Sequence, residues 1–454
     1  MELPGDQEAS STSSTVSNPQ FSSNCEESVV ASFGGGLTVY VAFLCVGVGC
    51  GWFPVDALIN LILNEPAFGP EWFGTITMTI GVVGIVQSAV FIAYKVMRRG
   101  TPMSLRAEQC RVMVIIVMTS VVLFVLSVFW SVGAPDFPVL IGGTVLAVLV
   151  VDCTYFFIFP FVAVHYGGWL VAPIRTGTDL CSLVTALLGE SQNPSASHVL
   201  FPSSVLLQAY GAMSFLGVVA WAAIVRFGVG LREEPAKCLG SGAGAEAARD
   251  IEAPGDVAPS SVLQQLKAAL GGFACPRALL WPVVVGTVVD VLQWGVVAAV
   301  GDVGAEMTDP EGCGAARGRW VARTSFTGNR LAVPLGGFAS TLLPCSRRVF
   351  GVLAAVQVLS AMAMLSACLG LFRGAWTTVE GQMMYITCYA LTGGLEGYLL
   401  TMSYRYIGDM PGLSESLRHS ASTLLSLINV IGVDAAALVT GALVNDRVIR
   451  CTSP

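Results

Sequence analysis

Seven ionisable side chains fall inside long apolar runs that leave them no water: Asp56, Asp152, Asp179, Asp290, Arg330, Glu396 and Asp434. A charge at the centre of a membrane-spanning helix costs about 2.5–3.5 kcal/mol on insertion scales, so such a group faces a cavity or a partner. Amides at Gln87, Gln208, Gln293, Asn329, Gln357 and Asn429 add hydrogen-bonding capacity in the same setting. Any one amide also reads as an interhelical hydrogen bond or an interfacial residue. Spread over seven segments, the charges together read as the lining of a polar cavity, and the chemistry they offer is charge pairing and hydrogen bonding to a solute. Arg330 is expected to be the lone mid-span cation, balancing one of the carboxylates. Which carboxylate it meets is open at this level.

Two segments carry most of the signal. The first reads GVGCGWFPVDALINLILNEP, where Gly47, Gly49 and Gly51 permit close helix approach, Pro54 breaks the backbone ladder and Asp56 follows Trp52 within a turn. A broken helix with an aromatic face beside a carboxylate suits a planar polar ligand; a kinked Gly-rich packing face is the alternative. The second, TGNRLAVPLGG, sets Asn329 and Arg330 just before Pro334, Gly336 and Gly337. Paired irregular segments in the two halves of a chain point to a midplane binding site. Asp290 and Gln293 add an i, i+3 pair, with Trp294 beside them read as core packing.

The elements that must hold these groups are helices in lipid. The 454 residues are 54% hydrophobic and 12% charged, against about 25% charged in ordinary soluble domains. Apolar runs near 36–63, 73–95, 111–132, 138–164, 176–191, 204–228, 278–300, 321–344, 349–372, 382–403 and 419–444 are each read as a crossing of a hydrocarbon core about 30 Å thick. The fold class expected is an all-α polytopic membrane protein of about eleven transmembrane helices in two lobes, six plus five. Segment 176–191 is the shortest, and a re-entrant segment is its alternative. A Ser-rich tail over 1–35, expected to be disordered and cytoplasmic, precedes a six-helix bundle over 36–228. A hydrophilic linker over 229–277, a five-helix bundle over 278–444 and a tail over 445–454 follow. Within the linker, SVLQQLKAALGGF has the spacing of an amphipathic surface helix.

Lysine and arginine concentrate in the loops on one side, Arg175 counted among them, which predicts a cytoplasmic N-terminus and an extracellular C-terminus. The net charge of −7 is scattered and carries no nucleic-acid meaning. Thirteen cysteines without a C-x-x-C pair and three dispersed histidines argue against a dedicated zinc site. There is no G-x-x-x-x-G-K-[ST] and no haem or flavin-enzyme fingerprint, so no cofactor and no ATP-driven pump is expected. His165 and His419 lack H-x-x-x-H spacing, and the chain is not expected to be an enzyme.

Several short motifs resemble the eukaryotic riboflavin transporters. In GVGCGWFPVDA, Trp52, Val55 and Asp56 stand where that family has G-x-G-x-W and V-N-G, after one inserted residue; Pro70, Glu71 and Trp72 match the following loop. TYFFIFPF, TGTDLCSL, LFPSSVLLQAY, GNRLAVPL, the SYRY that contains Tyr404 and LINVIG extend the likeness over nearly all of 36–451. The departures are Asp56 for Asn, Ala57 for Gly, Val82 for Asn and Asp179 for Gly. The resemblance implies an eleven-span plasma-membrane carrier that takes up riboflavin or a related heteroaromatic small molecule. Trp52 and other aromatics would cover the ring, and Asp56, Asp179, Asp290, Gln293, Asn329, Arg330, Glu396, Tyr404 and Asn429 would line the path. The expected topology puts Cys313 in an extracellular loop over 301–320 and Cys451 in the extracellular tail, where a disulfide between them is possible and two free thiols are the alternative; the riboflavin transporters also have cysteine in the matching loop and tail. The equilibrative nucleoside transporters are the nearest alternative, and a non-transporting membrane receptor or scaffold is a third.

Overall fold

The computed structural model describes residues 33–64, 71–98, 103–131, 137–191, 201–231, 277–311, 316–411 and 413–445. In chain order the helices are α1 (Phe33–Gly49), α2 (Phe53–Asn64), α3 (Glu71–Met97), α4 (Leu105–Ser131), α5 (Phe137–Cys153), α6 (Phe159–His165), α7 (Val171–Ser191) and α8 (Ser203–Phe227). After residues 232–276 come α9 (Arg277–Asp290), α10 (Ala298–Glu306), α11 (Ala316–Leu342), α12 (Arg347–Cys368), α13 (Arg373–Trp376), α14 (Val379–Asp409) and α15 (Glu415–Asn445). Short π-helical stretches, Thr154–Ile158 and Val291–Val297, join α5 to α6 and α9 to α10.

Among the described residues, seven helical stretches are long and apolar enough to cross a membrane, and the bent pair α1–α2 makes an eighth if taken as one span. The protein is an all-α polytopic integral membrane protein. Outward faces are apolar, as Val82, Val86 and Val90 on α3 and Leu335, Phe338 and Leu342 on α11 illustrate. The polar side chains go inward. Helices α7, α11 and α14 fall outside the apolar set, and these carry Asp179, Asn329 with Arg330, and Glu396. The shortest expected segment, 176–191, extends back to Val171 as a continuous 21-residue helix, which is about the length a bilayer requires. Most of the expected linker, its amphipathic stretch, most of both tails and the pair Cys313 and Cys451 lie outside the described residues.

The break between α1 and α2 bends the chain by 50°. Pro54 occupies the first turn of α2, where a missing N–H costs nothing. The carbonyls freed at the end of α1 find side-chain donors: Ser214 Oγ donates to Gly49 O at 2.7 Å, and Thr154 Oγ1 to Cys50 O at 2.8 Å. Backbone that leaves the helical ladder inside a bilayer needs such partners.

Close approach of α1 and α8 depends on Gly49 meeting Gly217. A Cβ on Gly49 would lie 2.6 Å from Gly217 Cα and 3.0 Å from Ser214 O. The expected result of Gly49→Val is a loss of about 1–3 kcal/mol from overpacking, read as a lower melting temperature of the purified protein. Gly142→Ala on α5, where an added Cβ meets nothing within 4 Å, is expected to melt with the wild type.

Candidate solute site between the two halves of the chain

Asp56 lies in the first turn of α2 and is 4% exposed. Its Oδ1 is 3.3 Å from Arg330 Nη2 on α11, and its Oδ2 accepts a hydrogen bond from Ser182 on α7. The carboxylate left open by the sequence as the partner of Arg330 is therefore Asp56. The guanidinium of Arg330 also lies over two rings, 4.6 Å from the centroid of Trp294 and 4.8 Å from that of Phe326. Such stacking favours Arg over Lys at this position.

Trp294 does more than fill the core. Its ring is nearly parallel to that of Trp52, with centroids 6.5 Å apart and planes inclined by 12°. Trp52, Trp294 and Phe326 are only half-buried, whereas the ionic groups behind them are closed off. Trp52 Nε1 donates to the Tyr155 hydroxyl at 3.3 Å.

Arg330 is not the lone buried cation. Arg175, expected in a cytoplasmic loop, is 1% exposed inside α7. Apolar length alone starts this segment at 176; the helix starts at Val171, following a turn in which Gly167 takes φ 100°. Burial then demands partners. Arg175 Nη2 donates to Glu396 Oε1 on α14 at 2.7 Å, its Nη1 to the Tyr155 hydroxyl, and its Nε lies 3.3 Å from Asp179 Oδ2 one turn along the helix. The last contact is an ion pair without hydrogen-bond geometry, since neither atom has a hydrogen-bond partner.

On the C-terminal side, Gln293 Nε2 donates to Asn329 Oδ1 at 3.0 Å, and Asn329 Nδ2 donates to the Tyr389 carbonyl at 2.7 Å. Asp290, at the junction of α9 with its π-helical stretch, is 3% exposed and within electrostatic reach of Glu396. Tyr404 is instead occupied by Ser426 at 2.7 Å and packs on Phe159. Asn429 is fully buried with neither amide atom hydrogen-bonded. Thus Trp52, Asp56, Asp179, Gln293, Asn329, Arg330 and Glu396 fall into contacting groups, while Tyr404 and Asn429 stand outside them. Sequence reasoning missed Arg175, Tyr155 and Ser182. The i, i+4 spacing of Arg175 and Asp179 is the signal that would have found the first.

No protein-family model and no curated protein matches the chain. Among solved structures, the chain is similar to the major-facilitator proton:xylose symporter XylE bound to 6-bromo-6-deoxy-D-glucose, with a TM-score of 0.56 and 11% identity over 91% of this chain and 90% of that one. The human organic anion transporter MFSD10 (TETRAN) is similar at a TM-score of 0.55 and 9% identity, over 90% and 93%. The chain has the major-facilitator fold. At these identities the likeness concerns the fold, and the solute must be argued from the side chains.

Proposed function

We propose that this protein is a carrier that moves a flat, polar, heteroaromatic solute of the riboflavin type across the plasma membrane by alternating access. The observation that carries the reading is the Asp56–Arg330 pair, which ties α2 to α11, and so one half of the chain to the other, beside the near-parallel indoles of Trp52 and Trp294. A solute whose ring contacts those indoles and whose polar edge competes for Asp56, Asn329 and Gln293 would loosen the tie as it binds. On this reading residues 36–228 and 278–444 are two lobes that rock about the site, the N-terminus is cytoplasmic and no cofactor takes part. Two features support an aromatic solute: half-exposed aromatic faces, and amides and charges buried behind them.

Uptake of radiolabelled riboflavin into cells or proteoliposomes carrying the full chain tests the proposal. Saturable uptake, competed by unlabelled riboflavin and insensitive to excess uridine and adenosine, is the expected result. Nucleoside uptake that ignores excess riboflavin would transfer the site to a nucleoside. No accumulation of either solute would leave a receptor or scaffold.

A further inference from the structure

The charges of the candidate site do not cancel. Arg330 lies 3.3 Å from Asp56, and Arg175 donates to Glu396 at 2.7 Å. Asp179 must share Arg175, at 3.3 Å and without hydrogen-bond geometry. Asp290 is 3% exposed, and among the described residues no Lys, Arg or His is ion-paired with it. Four carboxylates thus stand against two guanidiniums. Burying a charge without a partner is costly, and the excess falls on Asp179 of α7 and Asp290 at the end of α9, which belong to different halves of the chain.

Packing places Asp290 beside the other groups. Gly286, one turn before it on α9, faces α14: a Cβ there would come 2.7 Å from Ser403 Oγ. Farther along, the Tyr385 hydroxyl of α14 donates to the Gly301 carbonyl of α10 at 2.7 Å. The chain from α9 to α10 therefore runs antiparallel to α14, which brings Glu396, two turns before Ser403, level with the segment from Asp290 to Gln293. Trp294 follows Asp290 by four residues, about one turn, and its indole lies nearly parallel to that of Trp52. Around this point Asp290 Oδ1, Glu396 Oε2 and Gln293 Oε1 are buried acceptors without a donor. Such orphans cost free energy, and they mark where the donors of a ligand belong. Among the described residues, no three acidic, His or Cys side chains converge as the ligands of a metal ion would. The negative charge is spread along the site, which suits a delocalised cation better than a point charge.

We infer that this site prefers a flat heteroaromatic ring bearing a positive charge over an equally flat neutral one, and that Asp290 sets the preference. The preference rests on the carrier reading for its site and narrows the class of solute within it. A cationic ring would lie against the indoles of Trp52 and Trp294, whose faces attract positive charge, and turn its donors to Asp290, Glu396 and Gln293. Riboflavin, which is uncharged at neutral pH, fits the indole faces but leaves Asp290 unanswered.

Nicotinamide and its ring-N-methylated cation share a flat ring and an amide edge, and they differ by one positive charge. The purified full-length protein is titrated with each at fixed pH, with ionic strength balanced by sodium chloride, and the rise in melting temperature is read as binding to the folded state. The cation is expected to bind about tenfold or more tightly than nicotinamide, as a charge-assisted contact provides. Asp290→Asn is nearly isosteric and removes an unpaired buried charge, so it is expected to fold. It is expected to weaken the cation, spare nicotinamide and bring the ratio close to one. Equal shifts, no shift with either ring, or a larger shift with nicotinamide would overturn the preference; all three are read on the wild type and need no variant. A preference for the cation that survives in Asp290→Asn would overturn the role of Asp290. Competition against radiolabelled riboflavin uptake separates the preference from the carrier reading. Uptake that both rings inhibit equally leaves the carrier standing and defeats the preference. Selective stabilisation by the cation in a protein that accumulates no riboflavin does the reverse.

Discussion

Arg175→Met is expected to yield little folded protein, and what does fold is expected to melt well below the wild type. Arg175 supplies the positive charge for Glu396 and Asp179 and a donor to Tyr155, all in a region where the guanidinium is 1% exposed. Removing one member of a buried ion pair leaves the other charged and unpaired, at a cost of about 3–5 kcal/mol. Arg175→Lys keeps the charge but offers one ammonium nitrogen in place of the separate Nη1 and Nη2 that reach Tyr155 and Glu396, so an intermediate loss is expected. Adding Glu396→Gln to Arg175→Met removes one of the stranded carboxylates and is expected to recover part of the deficit. Size-exclusion profiles and melting temperatures in detergent check all three. Melting of Arg175→Met within a degree or so of wild type would show that the cluster carries little of the stability.

On the carrier reading, Arg330→Ala and Asp56→Ala are expected to lower riboflavin uptake by tenfold or more while leaving folded yield closer to normal. The two mutants differ from Arg175→Met because each orphaned group keeps a neighbour: Asp56 still accepts from Ser182 when Arg330 is removed, and Arg330 still lies over Trp294 and Phe326 when Asp56 is removed. Hydrogen bonds to charged groups contribute about 1.5–3 kcal/mol, which is roughly a tenfold to hundredfold change in an equilibrium. The exchanged pair Asp56→Arg/Arg330→Asp restores the tie between α2 and α11 but removes the cation from Trp294 and Phe326. Uptake above that of either single alanine variant is therefore expected, but below wild type. Asp56→Asn keeps an acceptor for Ser182, so it is expected to be the mildest change at this position. Initial rates and half-saturation concentrations, normalised to surface expression, separate the cases. Equal rates for Asp56→Ala and wild type would remove the pair from the transport cycle.

Much of this arrangement was legible because the bilayer restricts what a sequence can do. Apolar length alone marks most helices, and a charge within such a length is conspicuous: Asp56, Asp179, Arg330 and Glu396 were all found in that way. Pairing was less accessible. The contact between Asp56 and Arg330 depends on how α2 packs against α11, and nothing local to either residue encodes it. Arg175 was lost for a different reason, since Gly167, Gly168 and Pro173 resemble a loop and the positive charge then counted toward topology. Trp294 looked like packing because its partner Trp52 lies far away in the chain. The π-helical stretches also escaped notice, for a local gain of one residue leaves the apolar pattern almost unchanged over so short a run.

Those two stretches, Thr154–Ile158 and Val291–Val297, carry a consequence for how such a site could change over evolutionary time. Each is a helix holding one residue more than the α repeat accommodates. A chain shorter by a single residue within Val291–Val297 would close into ordinary α-helix while its two flanks stay nearly in phase, because a π turn takes up about one residue more than an α turn for the same rotation. The widened turn that presents Gln293 to Asn329 and Trp294 to Trp52 would be lost, with no side chain on the flanks replaced. Deletion of one codon is therefore expected to reshape this corner of the site while leaving the rest of the helix in register.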